Sequence, residues 1–255
     1  MLIFAMVIAG IGLVTLYGYP MLLQQQTSAN ERIMEKNMIV LQNDLKSLAY
    51  KTVPYKETSL KIDGGAITLY NQSKATSNIT LYSNDGSVPL MSFNLSELRY
   101  ESLEAQTDIS LQNGAVVKRQ NLVQGSVMLA EPRWFHDDTT NTMVINLISV
   151  NSTKPYLAKS GIGTVQMSLG ETNYTIYSPI NSPIYLEYTP DPTGVEDYTT
   201  AWDNYFVNTM KMTPQPDIVY PFPMPPTKKY QLPTLIAGKP ATLVIKKYEI
   251  VINSF

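Results

Sequence analysis

The sequence predicts an α+β protein: a long N-terminal α-helix followed by an antiparallel β-sandwich-like head domain. Three observations carry that expectation. Residues 1–23 hold no charged side chain, and the first charge in the chain is Glu31. An apolar stripe at helical spacing then continues toward Pro54. Beyond it, short alternating runs are broken by turn dipeptides, with no long helical pattern between them.

The opening "MLIFAMVIAGIGLVTLYGYPMLL" is 23 residues long. As a helix it spans about 35 Å, against a hydrocarbon core of about 30 Å. A secretory signal has a basic start, a shorter apolar core and a small-residue cleavage site. Neither the basic start nor an A-x-A-like site is present, so the segment reads as a membrane helix. Pro20 removes a backbone donor and clashes with the carbonyl of Leu16, which predicts a bend or loosened turn there, eased by Gly18.

Ser28 and Glu31 have capping-box spacing, yet the helical pattern runs on through them. Ile33, Met34, Met38, Leu41, Leu45 and Leu48 form one stripe, and Glu31, Arg32, Glu35, Lys36, Asn43, Asp44 and Lys46 fill the other face. Pro54 is the first strong stop and disfavours helix at Val53. Met1 to about Thr52 is therefore expected to be one arm, about 75 Å long if continuous. The organisation is an arm over 1–53 and a β-rich head over 54–255, the head expected to fold without residues 1–52.

In the head, "SLKIDGGAITLYN" predicts two strands about an Asp63-Gly64-Gly65 turn, and "NITLYSNDGSVPLMSFN" two more about Asn84-Asp85-Gly86. Further strands are expected at 108–111, 115–118, 142–150, 163–169, 173–177 and 243–251, with a short helix over 199–208. The proline-rich run 213–233 reads as an extended, polyproline-like surface segment.

Composition narrows the function classes. Net charge is −2 with 16% charged residues, so no basic face for nucleic acid is indicated. Cysteine is absent, which excludes disulfides and thiolate metal sites. The single histidine, His136, stands beside Asp137 and Asp138, but neighbours on an extended chain point apart, and the expected setting is a solvated loop. Asp191, Glu196, Asp197 and Asp203 are oxygen ligands of the type calcium takes, without EF-hand spacing. Gly238-Lys239 lacks the glycine-rich run of a phosphate-binding loop. No nucleophile elbow or H-E-x-x-H helix occurs. The reading is a non-enzyme with no cofactor and no metal.

Five Asn-x-Ser/Thr sequons lie at Asn71, Asn78, Asn94, Asn151 and Asn173. If the protein is extracellular they are candidate glycosylation sites, with Asn78 and Asn94, on either side of Asn84-Asp85-Gly86, the first choices.

An uncharged N-terminal segment running into an amphipathic helix and then a β domain resembles the layout of a type IV pilin. Later stretches sharpen the resemblance toward the archaeal pilin-like family: Asn113-Gly114, "MLAEP" at 128–132 and Ser-Gly-x-Gly-Thr at 160–164. It extends from Met1 to about Phe206. Where bacterial pilins carry a glutamate near the start of the mature helix, this chain has Ala5. No basic leader precedes the apolar run, so the chain is read as a mature form with Met1 supplying the terminal amine.

The resemblance implies a structural subunit of an extracellular cell-surface filament, a homo-oligomeric helical polymer for adhesion to surfaces or cells. It also implies a membrane-inserted state before assembly, handled by a prepilin peptidase and the pilus assembly machinery. The expected filament-core interface is Leu2, Phe4, Val7, Ile8, Ile11, Leu13, Val14, Leu16, Leu22 and Leu23. The alternatives are a minor pilin, a monomeric membrane-anchored binding protein, or an enzyme or solute-binding domain on a tether.

Overall fold

The computed structural model describes residues 2–51, 53–83, 88–102, 104–121, 125–193, 197–219, 226–233 and 241–255. The chain begins with α1 (Leu2–Leu13), a π-helical turn (Val14–Gly18) and α2 (Tyr19–Lys51), one continuous helical rod. The head follows as β1 (Tyr55–Tyr70), β2 (Asn78–Ser83), β3 (Val88–Asn94), β4 (Glu97–Ser102), β5 (Thr107–Gln112), β6 (Ala115–Gln120) and β7 (Ser126–Ala130). It continues with β8 (Phe135–Asp137), β9 (Thr142–Ser152), β10 (Ala158–Ile180), β11 (Ile184–Thr189) and α3 (Thr199–Asn204), which runs into a π turn (Tyr205–Thr209). Last come β12 (Thr213–Pro214), β13 (Lys228–Gln231) and β14 (Ala241–Ser254). A long N-terminal helix followed by a β-rich domain is thus the observed α+β architecture.

A nine-stranded sheet has the order β7-β6-β5-β4-β1-β10-β14-β9-β8, and a five-stranded sheet the order β12-β13-β11-β2-β3. Pairing departs from the antiparallel expectation once, where β14 runs parallel to β9 from Thr242↔Thr142 to Ile252↔Ser152.

Two cores flank the nine-stranded sheet. One face buries Met34, Met38, Leu41, Leu45 and Leu48 of α2 against Leu60, Ile67, Leu98, Ile109, Val165 and Ile250. The other face packs on the five-stranded sheet and α3, around Trp202, Phe206, Trp134, Tyr188 and Tyr230. The Phe206 ring stacks on Trp202 at 5.3 Å and on Trp134 at 5.8 Å. The result is three layers: helix, large sheet, then small sheet with α3.

The α2 residues at 34, 38, 41, 45 and 48 follow the period that gathers side chains on one helical face. Ile33 departs from the expected stripe and is exposed, because one residue before Met34 is about 100° around the axis. The acidic face is also not all solvent: Glu31 and Glu35 turn to Lys118 on β6.

Three other local expectations are corrected. Asp63-Gly64-Gly65 does not reverse the chain; β1 passes through it as one strand that pairs with both β10 and β4. The β10 register shifts between Ile62 and Ile67, and Gly64 has φ +70, so the glycines form a bulge inside a strand. A Cβ on Gly65 would lie 2.2 Å from the carbonyl oxygen of Glu101, so glycine is needed for close approach of β4. Segments 163–169 and 173–177 belong to the single strand β10. Within the proline-rich run, the proline-free Lys228–Gln231 enters the small sheet beside β11 and buries Tyr230. β2 and β3 pair as expected, while Asn84-Asp85-Gly86 lies outside the described residues.

Candidate functional surface

Residues 3–23 of the rod touch none of the head's core and keep their side chains in the open. Phe4, Val7, Ile8, Ile11, Leu13, Val14, Leu16, Leu22 and Leu23 are all exposed, from 45% at Leu23 to 71% at Phe4 and Leu16. Of the expected interface set only the Leu2 side chain lies outside the described residues. The rod contains one stretch long and apolar enough to cross a membrane.

A loosened turn falls where the sequence placed it. Val14–Gly18 is π-helical and the Tyr19 N–H bonds to the Val14 carbonyl, five residues back. Widening the turn just ahead of Pro20 lets the ring be accommodated within the rod, with helix on both sides. Thr15 Oγ1 donates to the Ile11 carbonyl at 2.9 Å, so this hydroxyl is turned back to the helix.

From residue 31 onward the rod is fastened to the head by polar contacts as well as packing. Lys118 Nζ lies 2.7 Å from both Glu31 and Glu35. Burial works against the Lys118 charge, but the hydrogen bonds to these two carboxylates outweigh it and raise its pKa. Gln42 Nε2 donates to the carbonyls of Gly114 and Glu131 at 2.7 and 3.0 Å, and Lys46 Nζ to Glu131 at 3.0 Å. Thr58 Oγ1 donates to Asp44 at 2.5 Å. The rod is therefore divided: a clamped part over about 31–51, a polar stretch over 24–30, and a projecting apolar part over 3–23.

The sequons separate by exposure. Asn94 and Asn173 are exposed and line one groove of about 540 Å³ with Gln72, Glu171 and Lys247. Asn94 Nδ2 donates to the Gln72 carbonyl at 3.1 Å. Asn71, Asn78 and Asn151 are half-buried. The Asn78 Oδ1 is buried, and Asn151 is engaged with Glu249 at 2.9 Å.

The acidic candidates are occupied one by one. Asp191 accepts from Thr193, Asp197 from the Thr199 N–H at 2.8 Å, and Asp203 from the Tyr230 hydroxyl at 2.8 Å. Glu196 and Gly238-Lys239 lie outside the described residues. His136 sits in β8 rather than in a loop, its Nδ1 3.0 Å from Asp138. Asp137 accepts from the Thr139 N–H and the Thr140 hydroxyl, which hold its carboxyl below the usual range. Among the described residues, no three His, Asp or Glu side chains converge as a metal site.

A groove that sequence reasoning missed lies where the end of α2 meets the 132–134 segment. It has a volume of about 600 Å³ and carries Lys46, Arg133, Asn43, Ser47, Tyr50 and Trp134 on its walls. The Arg133 guanidinium lies 5.0 Å over the Tyr50 ring, and Tyr50 meets Tyr248 edge-on at 5.4 Å. Its parts are some 85 residues apart in the chain, so no local motif announces it.

The chain belongs to a family of unknown function, DUF7289, whose family model matches residues 1–218. No curated protein and no solved structure matches the chain.

Proposed function

We propose that this protein is the structural subunit of an archaeal type IV pilus-like filament, polymerising through its N-terminal helix and serving adhesion at the cell surface. The observation that carries the reading is the divided rod, clamped to the head from residue 31 and bare and apolar over residues 3–23. In a bilayer such a helix satisfies its own backbone. Once withdrawn, its apolar surface needs cover worth roughly 25 cal/mol per Å², and identical rods of neighbouring subunits supply it. Head-to-tail contacts that do not close generate a helical polymer. Leu2, Phe4, Val7, Ile8, Ile11, Leu13, Val14, Leu16, Leu22 and Leu23 are the proposed core contacts, with the heads outside.

Leu13→Asp tests this. A charge at the centre of a membrane helix costs about 2.5–3.5 kcal/mol, and in a dry core it recurs unpaired in every subunit. The variant should yield no filaments while its head unfolds at the parent temperature; normal filaments refute the proposal. On such a surface, Asn94 and Asn173 are the proposed glycan acceptors, since both are exposed beside one groove. A mass of the bare 28.5 kDa chain from cells of the source would refute that assignment.

A further inference from the structure

We infer that the groove between the end of α2 and the 132–134 segment binds an anionic polysaccharide through Lys46 and Arg133. The two cations come from different elements and face the same space beside Asn43 and Ser47. The neighbouring acid does not neutralise them: Glu131 offers Lys46 its backbone carbonyl at 3.0 Å, and its carboxylate accepts the Thr209 hydroxyl at 2.8 Å. Asp44, on the same helix, is turned away to Thr58 and Lys56. Among the described residues Arg133 has the Tyr50 ring beneath it and no carboxylate partner, so the guanidinium edge is open for two parallel hydrogen bonds to a carboxylate or sulfate. Its carbonyl accepts from Asn146 Nδ2, and the side chain of the next residue is anchored to the same asparagine, Trp134 Nε1 donating to the Asn146 carbonyl. Burial first, and then the nearby Arg133 charge, lowers the Lys46 pKa against the smaller opposing pull of Glu131.

A lipid headgroup does not reach this groove from a membrane around the apolar segment, because Lys46 lies 23 residues past Leu23, about 35 Å along the helix. A polymer suits the geometry better than a small anion. One shallow cationic groove binds weakly, but in a filament it recurs at every subunit and a repeating polyanion engages many copies at once. That gain in avidity rests on the filament reading; the chemistry of the single groove does not.

The test uses the full chain dispersed in a nonionic detergent, so it reads the groove whether or not filaments form. Probes are oligogalacturonate, a sulfated dextran fragment and neutral maltohexaose, followed by calorimetry at two salt concentrations. The expected result is binding of an acidic probe, weakened by salt, with no binding of maltohexaose. Arg133→Gln should weaken it by about tenfold or more, and Lys46→Gln likewise, at unchanged circular dichroism. Preference between the first two probes assigns the anion as carboxylate or sulfate. Equal binding of the neutral probe, undiminished binding by Arg133→Gln, or no binding of either acidic probe at millimolar concentration overturns the proposal. So does salt-sensitive self-association lost in Arg133→Gln without acidic-probe binding, since a second copy is then the groove's occupant.

Discussion

Gln42 donates its side-chain amide to the carbonyl of Gly114 at 2.7 Å, from a position on α2 that is only 2% exposed. The same nitrogen also reaches the Glu131 carbonyl at 3.0 Å, so one amide ties the rod to both the β5–β6 turn and the end of β7. Gly114 sits at φ +70 in that turn, and Asn113 beside it at φ +48, a backbone that points its carbonyl at the helix.

Replacing Gln42 by Leu keeps the volume and removes the donor. The Gly114 carbonyl then loses its partner in the buried rod–head interface, a loss of about 1–3 kcal/mol, while the Glu131 carbonyl keeps its bond from Lys46 Nζ. The full chain in mild detergent should melt several degrees lower with the same circular dichroism spectrum. A melting temperature equal to the parent's would mean that water replaces the amide.

Truncation should distinguish where the rod ends from where the fold begins. The change of periodicity at Pro54 suggests a head that stands alone, yet Met34, Met38, Leu41, Leu45 and Leu48 fill one of its two cores. Removing 1–28 takes away the exposed apolar surface and leaves those contacts. We expect that product to be soluble, monomeric and cooperatively folded. Removing 1–52 strips the layer covering Leu60, Ile67, Leu98 and Ile250, and should give an aggregating or poorly folded product. A well-folded monomer from the longer deletion would show that the sheet needs no helix.

Much of this arrangement was legible because it is periodic. The buried apolar stripe of α2, Ile33 apart, follows from spacing, and the strands expected at 108–111, 115–118 and 142–150 lie within the observed β5, β6 and β9. Pro20, by its missing donor, led to the expectation of a bend or loosened turn between Leu16 and Pro20, and the π turn at Val14–Gly18 overlaps that range. What did not read out depends on distant partners. Gly64-Gly65 has the local signature of a hairpin turn, but its conformation is decided by β4 approaching on one side and β10 on the other. Glu31 and Glu35 look solvated until β6 delivers Lys118. The Lys46–Arg133 groove joins residues with no shared local pattern.

High pH should unfold the head. Burial raises the pKa of Tyr50, Tyr188, Tyr198, Tyr205 and Tyr230 above the ordinary value of 10.0, and in each case it is the largest cause. In the unfolded chain these phenols ionise near 10. Above that pH the unfolded state holds fewer protons than the folded one, so stability falls as pH rises. Below it these phenols are neutral in both states and contribute no pH dependence. A titration followed by tyrosinate absorbance should show exposed tyrosines ionising first, and the buried set only together with loss of β-sheet circular dichroism. Ionisation of all tyrosines with the fold intact would contradict the burial described here.

The central claim is that the apolar half of the rod is made to be covered by copies of itself. A helical reconstruction of filaments sheared from cells of the source tests it most directly. The account predicts this chain in the filament, residues 3–23 of each subunit packed against those of its neighbours in a dry core, and the β heads facing solvent. Filaments that lack the chain, or that place the heads at the axis and leave residues 3–23 uncovered, would contradict it.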